Sequence, residues 1–219
     1  MNEMKSVDQI NIKSQLLKVK ICGMKFNIQK ISDLFPDFMG FIFYPNSPRF
    51  VGFDFVIPKL KKEILKIGVF VNESEENILK IKKKNQLDFI QLHGTESPFY
   101  CESLFKKGLK LIKVFRVNDF FYFKKVVNYI PFCAYFLFDS NTIYYGGSGK
   151  KFCWKKLHEY TFQVPFFLSG GIGMQDFDTI KNFSHPKIFG IDVNSKFEIF
   201  PGKKDDIKLN VFIKKIRNL

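Results

Sequence analysis

At 219 residues and a formal net charge of +14, the chain suits one domain with one sizeable core, or at most two very small ones. With 46% hydrophobic and 26% charged residues it is neither a disordered nor a fibrous composition. No apolar run reaches the roughly 18 residues that a spanning helix needs, so no membrane insertion is expected.

Met1 to Lys18 alternates polar and apolar residues and carries acids, without the apolar core and small-residue cleavage site of an export signal. Residues 1–17 are therefore expected to form a loose extension, residues 18–219 the domain, and the cytoplasm to be its compartment. From there, short apolar runs alternate with lysine-dotted amphipathic stretches. Strands are predicted at Val19–Cys22, Phe38–Phe43, Ile67–Val71, Phe89–Leu92, Leu111–Phe115, Tyr135–Asp139, Phe166–Leu168 and Ile188–Val193. Helices are predicted between and after them, at Ile28–Phe35, Phe53–Leu65, Glu75–Lys84, Phe99–Lys107, Phe120–Tyr129, Trp154–Tyr160, Gln175–Phe183 and Asp205–Arg217. Asn72 and Ser74, Ser97-Pro98, and Asn118 supply N-terminal signals for the third, fourth and fifth helices.

Near-continuous apolar strands separated by helices indicate a parallel sheet covered on both faces. Eight such repeats predict an α/β, single-domain (β/α)8 TIM barrel. An open doubly wound sheet fits the alternation too, but no GxGxxG follows the first strand. In a barrel the chemistry sits where strands end, and unusual polar residues and glycines do gather there. Cys22-Gly23, Ser47-Pro48-Arg49, Gln91 with His93-Gly94, Asp139, Ser169-Gly170-Gly171, and Asp192 with Asn194-Ser195 all fall at predicted strand ends.

Glycines after strand seven and small polar residues after strand eight suit a phosphate, because bare backbone N–H groups can approach an oxyanion. Gly170, Gly171, Asn194 and Ser195 are the candidates. The second glycine loop, Gly146-Gly147-Ser148-Gly149-Lys150, lacks the GxxxxGK[ST] spacing and reads as a mobile loop beside the site. Cys22 by itself fits a small core filler as well as a reactive group. Asp139 ends an apolar run, and a carboxylate there must be hydrated, paired or used.

The charge points away from nucleic acid, because only Arg49, Arg116 and Arg217 among the 35 basic residues carry the fork that reads bases and phosphates. The lysines scatter over many predicted helices and read as solvated faces. Cys22, Cys101, Cys133 and Cys153 are widely spaced with no CxxC pair, so neither a disulfide framework nor a metal site is expected.

Taken together, the motifs resemble one family. Lys20-Ile21-Cys22-Gly23, the run from Gly40 to Val51, Gly68 to Asn72, and Gln91-Leu92-His93-Gly94 are similar to phosphoribosylanthranilate isomerases of tryptophan biosynthesis. So are Asp139, Gly146 to Lys150, Leu168 to Gly171, Gly190 to Val193, Glu198 and Pro201 to Asp205, in that order. The resemblance implies a TIM barrel that runs an Amadori rearrangement on a small phosphorylated substrate without a cofactor. It implies Cys22 as general base, Asp139 as general acid and Arg49 as partner of the anthranilate carboxylate. His93 and Asp192 are further pocket candidates, and a monomer or homodimer is expected. The histidine-pathway isomerase runs the same rearrangement but normally with two aspartates, whereas this chain offers a cysteine at the first strand.

The chain departs from the family pattern in three places. The first strand–helix unit is about two residues short. Cys153 stands where a helix-starting Asp is usual, at an expected cost of about 1 kcal/mol in capping. Lys196 replaces a glycine in the last loop, which is expected to bring a Cβ toward the phosphate.

Overall fold

The computed structural model describes residues 17–140 and 151–219. Strands β1 (Lys18–Ile21), β2 (Phe38–Ile42), β3 (Leu65–Phe70), β4 (Phe89–Leu92), β5 (Leu111–Val117), β6 (Cys133–Ser140), β7 (Phe166–Leu168) and β8 (Ile188–Val193) pair in chain order. Every pairing is parallel, and β8 returns to β1 to close the barrel. Closure removes the exposed edges that an open sheet would leave, and the expected TIM barrel is the fold observed. The reading of residues 1–17 as an extension falls, except for Leu17, outside the described residues, as does the glycine loop 146–150.

Side chains alternate along a strand, so a closed sheet sorts them into a lumen and an outer layer. Val19 and Ile21 of β1 face outward into the main core beneath the helices, with Phe41, Phe70, Phe136 and Phe138. The lumen is packed by Phe38, Ile67, Val69, Phe89, Ile112, Val114, Leu137 and Phe167, with Tyr135 and Phe189 against them. Rings dominate its floor: Phe38 meets Phe167 edge-on at 5.4 Å between centroids, and Tyr135 lies 4.4 Å from Phe189. Aromatics therefore fill the lower lumen, leaving the inward positions above them for polar chemistry.

The outer layer is less regular than the sequence pattern suggests. The α-helices are α1 (Ile28–Ser32), α2 (Glu75–Asn85), α3 (Pro98–Lys106), α4 (Phe177–Asn182) and α5 (Asp206–Arg217). Ser74 Oγ accepts from the Asn77 N–H at 3.3 Å to cap α2, and Ser97 Oγ accepts from the Tyr100 N–H at 3.2 Å to cap α3. The predicted helix after β5 is instead a 3-10 segment at Phe123–Phe132, interrupted by Pro131. Trp154–Glu159 is also 3-10, and Cys153 at its start makes no capping bond, in line with the lost Asp.

The helix predicted at Phe53–Leu65 does not form. Gly52 adopts φ +100, and residues 55–60 run without regular structure up to the turn before β3. Side chains of neighbouring helices satisfy this backbone in place of a helical ladder. Asn85 Oδ1 accepts from the Ile57 N–H at 2.8 Å, while Asn85 Nδ2 donates to the Phe55 carbonyl at 3.2 Å. Ser32 Oγ accepts from the Lys61 N–H at 3.1 Å, and Gln29 Nε2 donates to the Lys59 carbonyl at 2.8 Å. The segment is a strap laid over the barrel between α1 and α2. A short antiparallel pair that the pattern did not suggest, β9 (Glu198–Phe200) and β10 (Lys203–Lys204), folds back over the mouth after β8.

Asn85→Ala would leave the Ile57 N–H and Phe55 carbonyl without these partners, at a cost of about 2 kcal/mol. A fall in Tm of roughly 4–8 °C is expected by calorimetry, with kcat unchanged. A Tm within a degree of wild type would mean that the strap is held by other contacts.

Candidate active site

The strands open at their C-terminal ends into a solvent-connected pocket. Its lining includes Cys22, Arg49, His93, Asp139, Gly170, Gly171, Asp192, Asn194 and Ser195. All nine residues singled out from the sequence therefore meet at one mouth. Strand parity explains the two central ones: Cys22 follows Lys20 by two residues on the lumen side, and Asp139 follows Tyr135 and Leu137 in the same way.

The Cys22 thiol is 4% exposed and sits against Gly40, where an added Cβ would come within 2.9 Å of Sγ. Burial pushes the thiol up from its ordinary range, while the nearby Lys20 ammonium pulls it down, Asp192 pushes it up and Lys204 pulls it down; burial prevails. Lys20 itself is fully buried and pairs with Asp192 across β1 and β8 at 2.8 Å. Burial alone would lower this ammonium, but Asp192 and the Cys22 sulfur together outweigh it and hold it above the ordinary lysine range. The Asp192 carboxyl is in turn pushed up by burial, against the pull of Lys20.

Asp139 lies on β6, with Oδ1 accepting from the Ser140 N–H at 2.8 Å and Oδ2 3.4 Å from His93 Nε2. His93 follows β4 on a loop held from below. Lys113 Nζ donates to the carbonyls of Leu92 and Gly94, at 3.2 and 2.9 Å, and pairs with the buried Glu96 at 2.7 Å. The carbonyls on either side of His93 are thereby fixed, and the imidazole is presented to Asp139.

Arg49, 7% exposed, enters from the loop after β2 and is clasped by Glu198 of β9. Its Nε lies 3.0 Å from both Glu198 oxygens and its Nη2 2.6 Å from Oε2, leaving Nη1 outside the pair. Lys204 of β10 joins them, donating to Glu198 Oε1 at 2.8 Å and to Asn194 Oδ1 at 2.7 Å. Burial would raise the Glu198 carboxyl, but Arg49 and Lys204 outweigh it and hold it below the usual carboxylate range. Burial pushes Lys204 down to about 8, against the opposing pull of Glu198.

On the opposite side, Gly170 and Gly171 turn the chain at φ +94 and +68, a region that favours glycine. A Cβ on Gly170 would approach the Ser140 backbone N to 2.9 Å. Ser195 opens a 3-10 turn, Ser195–Phe197, so small residues from two loops face the pocket's end. Lys196 differs from expectation. It is exposed and lies outside the pocket lining, and its carbonyl accepts from Lys208 Nζ at 2.7 Å. The side chain is exposed, so its bulk lies outside the pocket. Among the described residues, no three His, Cys, Asp or Glu side chains gather as a metal site, and no helix is long and apolar enough to cross a membrane.

Comparison with known proteins decides the family. Residues 19–215 match the model of the family described as N-(5'phosphoribosyl)anthranilate (PRA) isomerase. The chain belongs to the phosphoribosylanthranilate isomerase family. A curated isomerase of that name from Parabacteroides distasonis is 42% identical, over 90% of this chain and 92% of its own length. One from Phocaeicola vulgatus is also 42% identical, over 91% of this chain and 97% of its own. A crystal structure of the Thermotoga maritima isomerase superposes with a TM-score of 0.77 at 32% identity, covering 93% of this chain and all of its own.

The sequence pattern named nine residues that line the pocket, but not the buried charges beneath and beside them. Lys20, Lys113 and Lys204 are 0%, 2% and 0% exposed, whereas lysines had been read as solvated faces. Parity was the available signal for Lys20, which shares the lumen face of a strand with Cys22. Glu198 and Lys204 carried no such signal, since the β9–β10 fold that brings them under Arg49 is set by tertiary contacts.

Glu198, whose carboxyl is depressed in the folded state, contributes stability above the ordinary carboxylate pKa of about 4.3, and loses it as pH falls through its lower folded value. Glu198→Gln should therefore lower Tm at neutral pH, by the equivalent of about 3 kcal/mol, and flatten the acid limb of a Tm-against-pH curve. Parallel acid limbs for the two proteins would contradict the sign of this linkage.

Proposed function

We propose that Cys22 and Asp139 are the base and acid with which this isomerase converts N-(5'-phosphoribosyl)anthranilate to 1-(2-carboxyphenylamino)-1-deoxyribulose 5-phosphate, in tryptophan biosynthesis. The observation that carries the reading is that a free thiol and a carboxyl, from β1 and β6, line one pocket that also holds a buried arginine and a glycine turn. A solved isomerase at 29% identity and a TM-score of 0.74 is described in complex with reduced 1-(o-carboxyphenylamino)-1-deoxyribulose 5-phosphate, the reduced form of that product.

In this reading, Asp139 gives a proton to the ribose ring oxygen, the C1–O bond breaks, and the anilino nitrogen carries the resulting iminium. Cys22, as thiolate, then takes the proton from C2, and the electron pair moves to give the neutral enolamine. Tautomerisation to the ketone completes an aldose–ketose isomerisation with no change in overall oxidation state. His93 orients the Asp139 carboxyl. The iminium forms close to a thiol that burial keeps protonated, and its positive charge favours thiolate at the step that needs it.

Arg49 meets the anthranilate carboxylate through its open Nη1 edge, its other edge being held by Glu198. Gly170, Gly171 and Ser195 receive the phosphate through backbone N–H groups and the hydroxyl. Asn194 shapes the same end, its side chain tethered by Lys204. Asp192 lines the floor beside Cys22. Residues 18–219 are the catalytic unit, working in the cytoplasm as a monomer or homodimer without a cofactor, nucleic acid or membrane; the Thermotoga maritima relative is described as dimeric.

Fluorescence of the anthranilate substrate tests these roles. Wild type should consume it, while Cys22→Ala and Asp139→Asn should each lose about 10³-fold in kcat. Arg49→Met should raise KM tenfold or more with a smaller fall in kcat. Wild-type rates equal to those of a Cys22→Ala, Asp139→Asn double variant would sink the assignment.

A further inference from the structure

The buried Lys20–Asp192 pair needs an explanation that stability does not supply. A buried ion pair gains little over well-packed hydrophobic residues of the same volume, because both charges lose their water. The neighbouring inward positions of the barrel are apolar or aromatic, and a further apolar residue at Lys20 would suit the lumen. The pair nonetheless sits directly beneath the mouth. Lys20 and Asp192 are register partners on β1 and β8, their side chains meet at 2.8 Å, and Cys22 is the next lumen-facing residue above Lys20.

Cys22 faces charge from every side of the mouth. Lys20 lies beneath it on its own strand and Asp192 beside it on β8. Arg49, Glu198 and Lys204 approach from the β2 loop, β9 and β10, and His93 and Asp139 stand across the pocket, just after β4 and on β6. These cations are not equivalent. The Arg49 guanidinium is committed to Glu198, and Lys204 divides its bonds between Glu198 and Asn194. Lys20 alone among them stands on the strand that leads into Cys22, one inward position beneath the thiol.

We propose that Lys20 is the positioning residue of Cys22: its buried ammonium, pinned by Asp192, supplies the fixed positive charge beside which the thiol gives up its proton. The inference rests on Cys22 being the base. Lys20 acts through Cys22 and needs no contact with substrate. Its charge is also more durable than that of Lys204, since Lys20 is held above the ordinary lysine range whereas burial pushes Lys204 down to about 8.

The test reads the thiol directly. In the full chain carrying Cys153→Ser, which removes the exposed free thiol, alkylation of Cys22 by iodoacetamide is followed against pH by mass spectrometry of the Cys22 peptide. Lys20→Met should move the midpoint up by about one pH unit, slowing alkylation at pH 7 about tenfold. Asp192→Asn, which unpins the buried ammonium, should move it up as well. Lys20→Arg should stay near wild type, and adding Asp192→Asn to Lys20→Met should give no further rise. In turnover, Lys20→Met should lose kcat at neutral pH, regain it as pH rises, and keep its KM. Midpoints that stay together across the folded variants, or a loss of kcat equal at every pH, overturn the inference. Should Lys20→Met not fold, Asp192→Asn decides: a midpoint that moves down overturns the inference. An active Cys22→Ala enzyme would instead sink the base assignment while leaving the alkylation result standing.

Discussion

A closed eight-stranded sheet has a single interior, and every inward side chain of eight strands must share it. In this chain the lower part of that interior is taken by Phe38, Phe89, Tyr135, Phe167 and Phe189, which leave little room for water. Polar inward residues are thereby confined to the upper part, where strands end and loops begin. Cys22, Gln91, Asp139 and Asp192 occupy it because strand alternation gives them no other direction. The mouth is a polar layer on an aromatic plug, and its chemistry depends on the dryness of what lies beneath.

Dryness makes the charges expensive and therefore ordered. Each buried cation has a carboxylate partner within 2.9 Å: Lys20 with Asp192, Lys113 with Glu96, Arg49 and Lys204 with Glu198. Glu198 serves two cations at once, which ties the loop after β2 to the β9–β10 fold and closes one wall of the pocket. Lys113 and Glu96 do the same for the other wall, stiffening the turn that carries His93. The active side chains move little because their supports cannot lose a partner without exposing a charge to an apolar interior.

The barrel was readable from the chain because its signals are local: eight short apolar runs, and glycines and polar residues where each run stops. The same spacing placed Cys22, Asp139 and the Gly170-Gly171 turn at one mouth. It took the resemblance to a family to make them a base, an acid and a phosphate grip. What local pattern missed had non-local causes. The stretch 53–64 carries apolar residues at plausible helical intervals, but its backbone bonds are claimed by Gln29, Ser32 and Asn85, far away in sequence. The 3-10 segment at Phe123–Phe132 reflects Pro131 and a tight fit over β5 and β6. Lys204 looked like a surface lysine until a two-residue strand folded it inward.

The strap also joins parts of the molecule that the sheet alone would leave to move separately. Its bonds come from α1 on one flank and from the last turn of α2 on the other, so it acts as a stitch across the second barrel unit. Fraying of the α2 C-terminus removes Asn85, and with it the hold on Ile57 and Phe55. The strap and that helical end then open as one cooperative unit, with shared protection of their amides, although 20 or more residues of chain separate them. Where a standard barrel buries a second helix, this one has an irregular strap stitched down on both flanks, with Asn85 holding two of its backbone groups.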